Sequence, residues 1–190
     1  LSLPKYMPAR DAGDVSIQGV GSLLDGKANG GTRTGIWAKN VNILDGGGIL
    51  EENSGEKNAS LGSGIYIFSE RFNITPSELD GSFISSETKD GEGGDVLINA
   101  SKNIDINSGS NISAMTSGMG RGGSLSVIGG SIRLLGSDPN NDTAIRTFTE
   151  SGGDSGNLLV RSGQDLLLEG NSGIYTGTSG TGASGDVSVV

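Results

Sequence analysis

The chain has 190 residues, with 35 glycines, no cysteine, no histidine and a formal charge of −9. Disulfides, thiolate or imidazole catalysis and Cys/His metal sites are thereby excluded. The 13 basic residues are scattered singly, without the stripe of a nucleic-acid binder, and no run approaches the roughly 18 apolar residues of a membrane span.

Leu, Ile, Val and Phe make up about a quarter of the chain, above the rough 20% floor below which a core cannot form. Glycine recurs too often for any long helical stripe. The composition therefore predicts an all-β fold with many tight turns.

In chain order, residues 1–12, with Pro4 and Pro8, read as a lead-in. A repeat array occupies residues 13–190. Its mark is a short apolar strand after Gly and a small polar residue: Gly13-Asp14-Val15-Ser16-Ile17, Gly94-Asp95-Val96-Leu97-Ile98, Gly123-Ser124-Leu125-Ser126-Val127, Gly156-Asn157-Leu158-Leu159-Val160 and Gly185-Asp186-Val187-Ser188-Val189. Val41-Asn42-Ile43 and Phe72-Asn73-Ile74 fill the gap as degenerate copies, giving a mean period of about 29 residues. Each unit adds a second apolar cluster (Leu23-Leu24, Ile49-Leu50, Leu79, Ile104 to Ile106, Ile132 to Leu134, Leu166 to Leu168) and a third, led by Ile36, Ile65, Phe83, Ile112, Ile145 and Ile174. The last four of these leaders precede the next first strand by the same 13 residues. Gly- and Ser-rich connections join the units, and Asn53 to Gly62 and Gly136 to Asp142 read as surface excursions.

Three short strands per unit, each alternating inward and outward, predict a right-handed parallel β-helix of about six turns. Its third face would carry the inward column Ile36, Ile65, Phe83, Ile112, Ile145, Ile174. The outward neighbours would then be Trp37, Tyr66, Ile84, Ser113, Arg146 and Tyr175, with Trp37, Tyr66 and Ile84 stacked as an exposed ladder. Such a ladder suits surface glycans or partner proteins, or stabilises the sheet.

Asp14, Asp95 and Asp186 share one position before the first strand and could line a calcium ladder. Ser124 and Asn157 occupy the same position elsewhere, so the common property is turn capping. No metal and no cofactor are expected. Asp25, Asp45 and Asp142 supply carboxylates for a hydrolase or lyase, but their positions do not converge. The Thr-x-Thr pairs at 32/34, 147/149 and 176/178 are explained by strand propensity, since no unbroken threonine array runs through all units.

The segments GGDVLINASKNIDINSGSNISAMTSGMGRGG and GNLLVRSGQDLLLEGNSGIYTGTSGTGASGDVSV resemble the repeat region of filamentous haemagglutinin-like large exoproteins of cyanobacterial type, over residues 13–190. That resemblance implies export through an outer-membrane two-partner transporter and display at the cell surface as a non-catalytic adhesin. The family's secretion motif is Asn-Pro-Asn; Asp138-Pro139-Asn140-Asn141 matches it only in part and in another context, which implies an internal piece continuing beyond Val190. A carbohydrate-active β-helix enzyme is the alternative, favoured by carboxylates of neighbouring turns meeting in a groove.

Overall fold

A computed structural model describes residues 13–19, 23–28, 33–53, 64–76, 81–89 and 92–190. The strands in chain order are β1 (Val15–Gln18), β2 (Leu23–Ala28), β3 (Arg33–Trp37), β4 (Asn40–Leu44), β5 (Gly48–Asn53), β6 (Gly64–Ser69), β7 (Arg71–Thr75) and β8 (Phe83–Thr88). They continue with β9 (Asp95–Asn107), β10 (Asn111–Thr116), β11 (Leu125–Gly136), β12 (Thr143–Thr149), β13 (Leu158–Ser162), β14 (Leu166–Gly170), β15 (Ser172–Thr178) and β16 (Val187–Val189). Every pairing between them is parallel, and no described residue is helical. The chain is a parallel β-solenoid.

Three faces enclose the core. On the first, β3, β6, the first half of β9, the first half of β11, β13 and β16 lie side by side. The second comprises β1, β4, β7, the second halves of β9 and β11, and β14. The third is the six-stranded ladder β2-β5-β8-β10-β12-β15. First and second faces merge into one sheet because β9 and β11 run unbroken around the corner, β11 with a register shift between Gly129 and Ser131.

The alternation of side chains converts these ladders into internal columns. Ile65, Val96, Leu125 and Leu158 stack on the first face, Phe72, Ile104 and Ile132 on the second, and Ile49, Ile84, Ile112 and Ile145 on the third, all at most 1% exposed. Full burial of each such side chain contributes about 2 kcal/mol, so the stack, not any single turn, holds the fold.

The register differs from the sequence expectation in three ways. Val15, expected as the first of the first strands, and Val41 and Phe72 pair toward Ile104, on the second face, so all three are second strands and the latter two are not degenerate first strands. Ile36 and Ile65 belong to the first face, where Ile65 pairs with Val96 and Ile36 with Ile67. On the third face Ile84, not Phe83, is the partner of Ile112. From Ile65 the first-face register steps to Val96, Leu125, Leu158 and Val187, making about four regular turns rather than six. The lead-in and the Asn53 to Gly62 excursion fall almost wholly outside the described residues. The Gly136 to Asp142 excursion is pinned by Asp138, whose carboxylate accepts from Asn140 N–H at 2.8 Å and Asn141 Nδ2 at 2.7 Å.

Glycine is required where the turns approach most closely. A Cβ on Gly123 would overlap the Gly94 carbonyl oxygen, and one on Gly156 the Gly123 carbonyl oxygen. This is the corner that leads into each first strand.

Candidate functional site

The first face alternates Ile36, Ile65, Ile67, Val96 and Ile98 inward. That phase turns Trp37, Tyr66, Phe68 and Leu97 outward. Trp37 is the register partner of Phe68, and their rings stack at 5.7 Å between centroids with 10° between planes. The indole also leans back along its strand: a Cβ on Gly35 would clash with the Trp37 ring. Gly35 is itself the partner of Tyr66, so the absence of a side chain there admits the indole beside the phenol row. Leu97 follows Tyr66 in register; beyond it the outer rows turn mixed, Leu97 being followed by Ser126 and Leu159, and Phe68 by Asn99, Ile128 and Arg161. Trp37 is 46% exposed, while Tyr66, Phe68, Leu97, Ile128 and Leu159 are half-buried. The result is a short apolar stripe of Trp37, Tyr66, Phe68 and Leu97 toward the β3 side of a regular parallel sheet.

The expected ladder is thus redrawn. Trp37 and Tyr66 do share an outer face, but Phe68 is the residue on which Trp37 stacks. Ile84 is not part of it: fully buried, it pairs with Ile49 and Ile112, because the third-face register sits one residue on and reverses inside and outside. Arg146 and Tyr175 are register partners on the third face, remote in sequence order from Trp37 and on a different ladder. Arg146 Nη1 donates to the Tyr175 hydroxyl at 3.2 Å, and that hydroxyl donates to Asp142 Oδ2 at 2.8 Å. Burial pushes the Tyr175 phenol above the ordinary tyrosine value; the Arg146 guanidinium opposes this and the Asp142 carboxylate reinforces it. Ser113, next in that row, is buried and donates to Ser85 Oγ at 3.0 Å.

Phe68 was legible as a site residue, since it stands two positions after Tyr66 and therefore in the same outward phase. The signal was masked by the assignment of Ile65 to the third face.

The Asp14, Asp95, Asp186 set divides likewise. Asp95 Oδ1 accepts the Ser124 N–H at 2.8 Å, and Asn157 Oδ1 accepts the Asp186 N–H at 3.0 Å. Each polar side chain ties its own turn to the same position of the next, a structural bond between coils of the stack and not the local turn cap expected from the sequence. Asp14 stands apart, at the start of the second-face strand β1, and accepts from Asn40 Nδ2 at 2.8 Å. Asp45, at a φ of 53°, accepts from Gln18 Nε2 at 2.8 Å, and the side chain of Asp25 falls outside the described residues. Among the described residues no group of three or more acidic side chains is arranged to hold a metal ion, and no helix is long and apolar enough to cross a membrane.

A groove of about 300 Å³ runs along the outer edge of the third face, lined by Glu52, Glu87, Lys89, Met115, Thr116 and Glu150 among others. Glu52 and Glu87 are register partners on β5 and β8, which sets their Cα atoms about 4.8 Å apart. Ser85 Oγ donates to Glu87 Oε1 at 2.9 Å, extending the hydrogen bond from Ser113 into the groove. Sequence reasoning missed this pair, because Glu52 and Glu87 are 35 positions apart and come together only through the true third-face register.

No protein-family model, curated protein or solved structure matches this chain. The stripe and the groove therefore stand on geometry.

Proposed function

We propose that the chain is a non-catalytic segment of a secreted, cell-surface adhesin of the filamentous haemagglutinin-like kind, exported by a two-partner outer-membrane transporter. The solenoid acts as the stalk, and the outer first face acts as the adhesive surface. The observation that carries the reading is the Trp37–Phe68 stack, with Trp37 46% exposed, on the outside of a regular sheet. Flat aromatic faces on a preorganised sheet offer large contact area at low entropic cost, which suits the apolar faces of sugar rings or a partner protein. A glycan-array screen with the intact chain and with Trp37→Ala tests it. Binding that the substitution weakens at least tenfold supports the surface assigned here; binding unchanged by it, or no binding, counts against it.

The Glu52 and Glu87 pair favours a second reading, a carbohydrate-active β-helix enzyme, since two carboxylates on neighbouring strands in a groove are what glycoside hydrolysis uses. Reducing ends released from a polysaccharide panel by the intact chain, and not by Glu87→Gln, would establish that reading.

A further inference from the structure

The first and second faces are one sheet and the third is a sheet of its own, so the third face is held to the rest of the wall by its side chains and connections. It also presents less apolar surface inward. The first face carries two columns of buried aliphatic side chains, one through Ile65 and Val96 and one through Ile67 and Ile98, whereas the third carries one, through Ile49, Ile84, Ile112 and Ile145. A face with less buried area is the more easily opened.

The inward column two residues further on lies beside the connection into the first face, and it reads Glu51, Ser86, Ala114, Thr147, Thr176. Three of these five coils carry a latch. Glu51 Oε1 accepts the Gly64 N–H at 3.0 Å, and Gly64 opens β6 on the first face. Thr147 Oγ1 donates to Gly156 O and Thr176 Oγ1 to Gly185 O, both at 2.7 Å, and Ser155 Oγ reinforces the former by donating to Thr147 Oγ1 at 3.0 Å. Among the described residues the two middle coils have no such bond. Ser86 turns its hydroxyl to Glu51 Oε2 at 3.3 Å, within the third face, and Ala114 has no donor to offer.

The next inward column divides in the same way. Thr149 Oγ1 and Thr178 Oγ1 accept from Ser151 N–H and Gly180 N–H, in the connections that follow them, at 3.5 and 3.1 Å. Thr116 Oγ1 instead donates inside the sheet to Thr88 O at 3.1 Å, and the buried Thr88 hydroxyl has no partner. We infer that the C-terminal halves of β8 and β10 form a flap, latched on either side through Glu51 and Thr147, that swings out from the first face while the rest of the wall stays closed. The groove of about 300 Å³ lies over this seam, with Thr88, Lys89, Thr116 and Ser117 in its lining, so opening deepens it toward the core. Local opening draws on the least-held part of a structure, and here that part is in the middle of the stack. The flap is independent of the adhesive reading, which concerns the outside of the first face.

Residue-resolved hydrogen exchange by NMR on the intact chain tests the inference. In the wild type, amides of residues 85–88 and 113–116 are expected to exchange at least tenfold faster than those of residues 96–99 and 125–128, which follow them on the first face. Ala114→Thr supplies a donor toward Gly123 O, as Thr147 does toward Gly156 O, and is expected to slow residues 113–116 at least fivefold. Thr147→Val keeps the shape and removes a latch, and is expected to speed residues 146–149 at least fivefold. Exchange at residues 85–88 and 113–116 no faster than at residues 96–99 and 125–128 overturns the inference. So does an Ala114→Thr chain with native circular dichroism in which residues 113–116 are unchanged; should that variant fail to fold, unchanged exchange of residues 146–149 in Thr147→Val overturns it in the same way.

Discussion

Two leucines on one column make a direct test of the stacked core. Leu134 and Leu168 are register partners on adjacent strands, one fully buried and the other 40% exposed. Truncating Leu134 to Ala removes three buried carbons, about 2.4 kcal/mol at about 0.8 kcal/mol each. A residual cavity of roughly 50 Å³ adds about 1.2 kcal/mol. The expected cost of Leu134→Ala is therefore about 3.5 kcal/mol. At Leu168 the same carbons lose only part of their burial and leave an open notch instead of an enclosed void, so the cost is about 1 to 1.5 kcal/mol. With an m-value of roughly 2 kcal/mol/M in urea, the two midpoints separate by about 1 M. Urea unfolding followed by circular dichroism measures both. Costs within about 0.5 kcal/mol of one another would refute the reasoning, because the two positions would then be equally enclosed.

At the corner into the first strand, Gly123→Ala drives a methyl into the Gly94 carbonyl; a loss of about 2 kcal/mol or more is expected, as for other substitutions that strain the backbone, and the same urea assay reads it. The Tyr175 phenol should ionise above the ordinary tyrosine range in an absorbance titration near 295 nm, and Asp142→Asn should bring it down. Because the native state holds that proton more tightly than the unfolded chain, its contribution is intact below the ordinary value of about 10 and is lost as pH rises through the folded value. Thermal unfolding should be the same within a degree or two with chelator and with added calcium, since Asp95 is engaged by the Ser124 backbone and Ser124 and Asn157 interrupt the acidic row; a larger drop on chelation would place an ion in the turn ladder.

The parallel stacking was legible in the sequence because it rests on period and on turn chemistry, both of which survive in the intervals among Leu125, Leu158 and Val187. The assignment of strands to faces was not. Val41-Asn42-Ile43, Phe72-Asn73-Ile74 and Val96-Leu97-Ile98 present similar patterns, yet the first two belong to the second face and the last to the first. Nothing local separates those faces, since β9 passes from one to the other without a break from Asp95 to Asn107. On the third face, beyond the loss of Ile36 and Ile65 to the first face, one step went wrong. Phe83 and Ile84 are adjacent and both apolar, so alternation does not say which points inward; choosing Phe83 puts Ile84 outside, and a one-residue slip exchanges core and surface. The aromatic stripe was half visible because Ile65 reads as a third-face residue, and the Glu52 and Glu87 pair depended entirely on the corrected register.

The hydroxyl-rich composition that first suggested loops has a structural use on the third face. Thr147 Oγ1 donates to Gly156 O and Thr176 Oγ1 to Gly185 O, each at 2.7 Å and each across nine residues. Those two glycines begin the connections' return into a first strand, where close approach of turns forbids a side chain and leaves carbonyls facing inward. A buried carbonyl without a donor costs about 1 to 3 kcal/mol. Threonine meets both demands of the position, a strand-compatible branched side chain and a donor of the right reach. Thr147 and Thr149 are fully buried, so these threonines face the interior, and an outward threonine array on that strand is excluded. In these two coils glycine at the corner and threonine nine residues before it are thus two parts of one device, whereas Ala114 stands at the same distance before Gly123 and Ser85, which donates to Glu87, before Gly94.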